Sequence, residues 1–186
     1  MRCFIAIDID EQIRAKIGGF EDELRRKTGL DRPKVKWVEP SNIHLTLKFL
    51  GEVRDQVIRD VCGLVEQAAG EHESFDVEFA GLGVFGRPAR VLWVGTGENE
   101  SLLSVQKDIE ERFCKGGFGS DNKKFSGHLT LCRVKNPGAG RKIEVAIGDY
   151  RDLSFGSLEV DSIGIYKSEL TSAGPVYTLI SRSMLR

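Results

Sequence analysis

One tetrapeptide is written twice in this chain, as His44-Leu45-Thr46-Leu47 and again as His128-Leu129-Thr130-Leu131. Only three histidines are present, and two of them sit in the repeated stretch. Side chains along a strand point alternately to opposite faces. Each copy, read as a strand, therefore carries His and Thr on one face and two leucines on the other. The leucine face suits a core. An imidazole beside a hydroxyl is costly to bury without partners. If the two copies face each other, they line a cleft with two imidazoles and two hydroxyls. A single copy would pass for an ordinary half-buried strand, whereas two identical copies point to a site.

The pattern around the tetrapeptides repeats as well. A strand at 2–8 leads to a helix over about 11–28, with Ile13, Ile17, Phe20 and Leu24 at helical spacing and Asp10 as its cap; Gly18 and Gly19 predict a bend in its middle. An extended segment between Pro33 and Pro40 precedes the first His/Thr strand at about 43–50. A helix at 55–69 and a strand at 75–85 follow. The series then restarts with a strand at 90–96, a helix at 100–114 capped by Asn99, and the second His/Thr strand at 127–134. Residues 136–140 read as a loop, 141–149 as a weaker helix, and 155–166 and 175–183 as closing strands. Val77–Phe85 and Leu158–Tyr166 match nearly letter for letter in type. Two copies of one unit, about 2–85 and 90–166, predict a single domain over 1–186. The expected class is α+β, with two pseudo-symmetric lobes of mostly antiparallel sheet backed by helices and a cleft between them.

With 40% hydrophobic and 30% charged residues the chain can build a core, and its net charge of −1 supplies no global field for nucleic acid. Cys3, Cys62, Cys114 and Cys132 are irregularly spaced, which fits a reducing cytosol better than a disulfide framework. No stretch is long and apolar enough for a signal peptide or a membrane span, so a soluble cytoplasmic protein is expected.

Histidine titrates near neutrality, so two of them in one cleft can hold opposite protonation states and act as general base and general acid. The two threonine hydroxyls can donate to oxygens that gain charge in a transition state. A phosphodiester fits this inventory, with one imidazole on each side of the phosphorus in an in-line displacement. Metal chemistry is not expected, because zinc wants three or four protein ligands. Cys132, on the strand parity of His128, reads as a packing residue. His72, between Glu71 and Glu73, reads as exposed and inert. Neither a GxxxxGK[ST] loop nor a GxSxG serine is present.

These residues give the chain a resemblance to the 2H phosphoesterases, and among them to the RNA 2',3'-cyclic phosphodiesterases also called 2'-5' RNA ligases. It covers nearly the whole chain: Arg2–Ile7, Trp37–Gly51, the second tetrapeptide with Arg133, Ile165–Leu170 and Gly174–Tyr177. The resemblance implies cofactor-free, metal-independent opening of RNA 2',3'-cyclic phosphate ends to 2'-phosphates. It implies that His44 protonates the leaving oxygen and that His128 activates water, a distinction two identical motifs cannot supply. It implies that Arg133 holds the phosphate, that Phe49 stacks on a base, and that 2'-5' joining of RNA ends is the reverse reaction. By strict alternation Phe49 and Arg133 fall on the leucine face, which makes Phe49 a core residue by default. An arginine makes little sense there, so a bulge or strand end is expected near Arg133. Gly127 stands where the family commonly has proline, which predicts a less rigid approach to His128.

A basic pair and an aromatic precede each motif: Lys34, Lys36 and Trp37, then Lys123, Lys124 and Phe125. The lysines can draw phosphates toward a cleft, with Lys36 and Lys124 as candidate RNA contacts. The two aromatics and Trp93 read as core. The expected partner is an RNA 3' end carrying a 2',3'-cyclic phosphate, with no membrane, no obligate protein partner and a monomeric state. Rival readings are a phosphodiesterase of small cyclic nucleotides or 2'-5' oligoadenylates, and a non-catalytic RNA-end binder.

Overall fold

The computed structural model describes residues 1–31, 33–120, 124–172 and 174–186. Three of its helices start where the sequence offers a side-chain cap. In α1 (Glu11–Thr28) the Asp10 carboxylate accepts from the Ile13 amide at 2.7 Å, and Gly29 ends the helix in the left-handed conformation. Gly18 does not interrupt it. In α3 (Glu100–Lys115) Asn99 accepts from the Leu102 amide at 2.9 Å. The stripe Leu102, Val105, Ile109 and Phe113 is buried.

The strands are β1 (Arg2–Asp8), β2 (Val35–Trp37), β3 (His44–Glu52), β4 (Phe75–Phe85), β5 (Val91–Gly95), β6 (His128–Val134), β7 (Ser154–Val160), β8 (Ser162–Leu170) and β9 (Pro175–Met184). They form two sheets, ordered β3-β1-β8-β9 and β2-β6-β5-β4-β7, with every pairing antiparallel. Helices α2 (Ile58–Ala69) and α3 lie against the first sheet, and α1 and α4 (Pro137–Ala146) against the second. This is the α+β arrangement of two helix-backed lobes expected from the repeat.

The lobes are not the sequence halves. β4 ends the first half but pairs with β5, and β8 lies in the second half but pairs with β1. Each lobe is thus closed by a strand from the other half. The matched letters of β4 and β8 follow from this exchange. Gly83 lies under the Trp93 ring and Gly164 under the Tyr166 ring, and a Cβ at either position would collide with ring carbons. Both glycines are there so that an aromatic side chain can lie flat across its neighbouring strand or its own.

Two expectations are corrected. Residues 136–140 are not a loop: Asn136 accepts from the Ala139 amide at 2.8 Å and Pro137 opens α4, so the Pro-Gly sequence that suggested a turn is the first turn of a capped helix. Residues 155–166 are not one strand. They break at Asp161 into β7 and β8, which join different sheets. Among the described residues no helix is long and apolar enough to cross a membrane.

Candidate active site

β3 and β6 belong to different sheets and lie side by side where the sheets meet. Leu45, Leu47, Leu129 and Leu131 are buried, whereas His44, Thr46, His128 and Thr130 are only half-buried on the opposite face. Both imidazoles are held the same way. Nδ1 of His44 lies 2.8 Å from the carbonyl of Asn42, and Nδ1 of His128 lies 2.7 Å from that of Ser126. A carbonyl only accepts, so each Nδ1 carries its hydrogen. That fixes the tautomer and makes Nε2 an acceptor when the ring is neutral and a donor when it is protonated.

Each strand then breaks its alternation at the same place. The β1–β3 register steps from Ile5↔Lys48 to Ala6↔Thr46, which makes Leu47 an extra residue. The β5–β6 register steps from Leu92↔Cys132 to Trp93↔Thr130, which does the same at Leu131. A bulge at the second leucine of each tetrapeptide turns the following residue inward as well. Lys48 and Cys132 are buried, and the fifth residue after each histidine returns to the His/Thr face. Phe49 is accordingly 62% exposed and is not a core residue, and Arg133 is exposed beyond Thr130 on the same strand. Cys132 packs on the leucine side, not on the parity of His128. Burial pushes its thiol up to about 12.

The two histidines are furnished differently. The His44 ring stacks on Phe4 with centroids 4.6 Å apart and meets Tyr177 edge-on at 5.2 Å. Burial lowers its pKa, partly offset by the Asn42 hydrogen bond and the Asp8 carboxylate, while Arg14 lowers it further. His128 meets Phe85 edge-on at 5.0 Å, with Trp93 at 6.3 Å. Trp93 is thus not a core residue. It is half-buried on the groove face, where it pairs with Thr130, because Gly83 frees the space beneath its ring. Trp37, in contrast, is core as expected, its indole N–H donating to the Leu30 carbonyl at 3.0 Å. Phe125 is partly buried against the core. The sequence reading missed the flanking aromatics Phe4, Phe85 and Tyr177. Their signal is parity: each shares the groove face of its strand with a residue paired to a neighbouring strand of the site.

Lys36 pairs directly with Arg133 across β2–β6 and is exposed, which sets two cations side by side at one end of the groove. Lys34 and Lys124 are also exposed, and Lys123 lies outside the described residues. Gly127 packs tightly against Thr96, with no room for a side chain. A Cβ there would stand 2.5 Å from Thr96 Oγ1, which itself donates to the Gly127 carbonyl at 3.3 Å. His72 is not free in solvent. Its Nε2 lies 3.3 Å from Asp108, and its side chain is 19% exposed. Among the described residues no group of three or more His, Cys, Asp or Glu stands where it could hold a metal.

Two bulged His-x-Thr strands from pseudo-equivalent places in two lobes, with matched imidazole tethers, bring two imidazoles and two hydroxyls to one groove. The chain belongs to the family described as LigT-like phosphoesterases, which it matches over residues 7–93 and again over 94–177. It is 35% identical over 180 residues to an RNA 2',3'-cyclic phosphodiesterase of Methanothermobacter thermautotrophicus, covering 96% of this chain and 95% of that one. Its fold superimposes on a solved structure from Thermus thermophilus with a TM-score of 0.82 at 27% identity, covering 100% of this chain and 98% of that one. It is likewise similar to LigT of E. coli in its apo form, with a TM-score of 0.79 at 25% identity and coverage of 99% and 96%.

Proposed function

We propose that this phosphoesterase opens RNA 2',3'-cyclic phosphate ends to 2'-phosphates. The observation that carries the reading is the matched pair of imidazoles, each with Nδ1 tied to a carbonyl and Nε2 left for chemistry. The relatives named RNA 2',3'-cyclic phosphodiesterase supply the substrate class. His128 Nε2 takes a proton from the attacking water as the new P–O bond forms. The bond from phosphorus to the 3' oxygen breaks on the far side, and His44 Nε2–H protonates that oxygen. Thr46 and Thr130 donate to the non-bridging oxygens, whose charge grows in the transition state. Arg133 neutralises the phosphate, and the exposed Phe49 ring offers a stacking face for a base. Lys36 and Lys124 draw the RNA end in. Run in the same direction with an RNA 5' hydroxyl in place of water, the same steps form a 2'-5' bond, and run backward they cleave one. No metal takes part, and the protein acts as a monomer in the cytoplasm.

The test is incubation with a short RNA bearing a 2',3'-cyclic phosphate, in excess EDTA, with identification of the product end. A 2'-phosphate is expected. His44→Ala and His128→Ala should each lower turnover by ~10²–10⁴-fold while leaving binding in place. Turnover that needs added metal would overturn the mechanism, and a 3'-phosphate product would reverse the leaving oxygen.

A further inference from the structure

Arg2 brings to the groove a charge that no ion pair neutralises among the described residues. Its partner in the β1–β3 register is Glu52, but that carboxylate lies 3.6 Å from the Met1 amino group. Arg2 shares its face of β1 with Phe4, the ring on which His44 stacks, two residues or about 7 Å further along the strand. The β1–β8 pairing Cys3↔Lys167, continued by one residue, sets Arg2 opposite Ser168, and Ser168 pairs with Tyr177 in β9. Arg2, Ser168 and Tyr177 therefore form a row across three strands of the first lobe. The Tyr177 ring closes that row onto the site, 5.0 Å from Phe4 and 5.2 Å from His44.

Tyr177 is also where the two lobes meet electrically. Burial raises the pKa of its phenol, while the charges of Arg133 and Arg2 lower it. The Tyr177 hydroxyl thus feels the charge of one guanidinium from the second lobe and of another from its own. Among the described residues it has no hydrogen-bond partner. A cyclic phosphate carries a single negative charge, and Arg133 answers it. Arg2 and the phenol are left over. An RNA end differs from a nucleoside cyclic phosphate by a second anion, the phosphodiester on the 5' side of the last nucleotide.

We infer that Arg2 and the Tyr177 hydroxyl form a second anion subsite, which takes that 5'-side phosphodiester and selects RNA ends over nucleoside 2',3'-cyclic phosphates. The inference rests on the cyclic phosphodiesterase reading of the site. It makes Arg2 a specificity residue, remote from the proton transfers, and gives the groove a direction in which the RNA strand leaves.

The test compares kcat/KM for a short RNA ending in a 2',3'-cyclic phosphate with kcat/KM for the matching nucleoside 2',3'-cyclic phosphate. For Arg2→Ala the ratio of the two should fall about tenfold, the size of one lost charge-assisted contact. The slope of log kcat/KM against log salt for the RNA should become shallower by about 0.7, the value for one phosphate on a single strand. Arg2→Lys should restore part of both, and Tyr177→Phe should lower the ratio less than Arg2→Ala. An equal loss on both substrates, or an unchanged ratio and slope, would overturn the subsite. A wild-type protein that turns over neither substrate would instead overturn the cyclic phosphodiesterase reading.

Discussion

His44 is wedged between Phe4 and Tyr177, and that burial has a kinetic sign. In the proposed role of proton donor it must be charged, and its pKa lies below the ordinary 6.5 because desolvation opposes the charged form. In the free enzyme kcat/KM should therefore fall as pH rises through a value below 6.5. A bound phosphate anion favours the imidazolium, so the falling limb of kcat should lie at higher pH than that of kcat/KM. Measuring both profiles decides it, and the opposite order of limbs would remove His44 from the donor role. Glu21 is 1% exposed on α1, with one carboxylate oxygen lacking any hydrogen bond among the described residues and Arg25 at 3.4 Å from the other. Burial pushes its pKa from 4.5 up to about 8. The folded state thus holds a proton that the unfolded state has released. Between these values stability falls as pH rises, at about 1.4 kcal/mol per pH unit. Glu21→Gln should remove that slope, so urea denaturation at about pH 5.5 and about pH 8 should differ less for the variant than for the wild type. Equal differences would show that Glu21 ionises in the folded state as freely as in the unfolded one.

At the scale of elements the bulges decide what each strand presents. In β3 the inward turn buries Lys48, 2% exposed, against Glu110 at 2.7 Å and the Gly119 carbonyl at 3.0 Å. Gly119 belongs to the segment that leads from α3 toward the second motif. Lys48→Ala strips a buried charge from its partners and should cost ~3 kcal/mol, read by denaturant titration. A loss near zero would mean that water replaces the ammonium. The same bulges mark the limit of what could be read from letters. Period-two alternation located His44, Thr46, His128 and Thr130 on one face, because nothing intervenes within three residues. It failed just beyond, placing Phe49 in the core and Cys132 on the site face, since a bulge is a property of the pairing; only Arg133, a charge that strict alternation would have buried, marked one in advance, and the register shift at Leu131 meets it. Trp93 failed for a related reason: an apolar strand next to another looks buried on both faces, and only Gly83 on the neighbouring strand shows which way the indole lies. The cap of α4 was legible in Asn136-Pro137 but masked by the glycines at 138 and 140.

At the scale of the molecule, the repeat predicted two lobes, and the exchange of β4 and β8 makes each lobe depend on both halves of the chain. Within the first sheet β8 holds β1 on one side and β9 on the other, and within the second β4 stands between β5 and β7. Helices follow the exchange, with α3 from the second half against β3 of the first lobe and α1 from the first half against β7 of the second. A chain cut at the turn near residues 86–90 would leave β1 and β3 without β8, and β5 and β6 without β4. Edge strands exposed in this way on both fragments favour association over independent folding. Residues 1–88 alone should therefore show no cooperative unfolding transition. Mixed with residues 89–186 they should recover one, together with turnover of a cyclic phosphate end, because each fragment carries one His-x-Thr strand. For the intact chain, far-ultraviolet circular dichroism and tryptophan fluorescence should report a single coincident transition. A fragment that folds alone, or two separated transitions in the intact chain, would mean that the lobes are stabilised within the sequence halves and that the exchanged strands only decorate them.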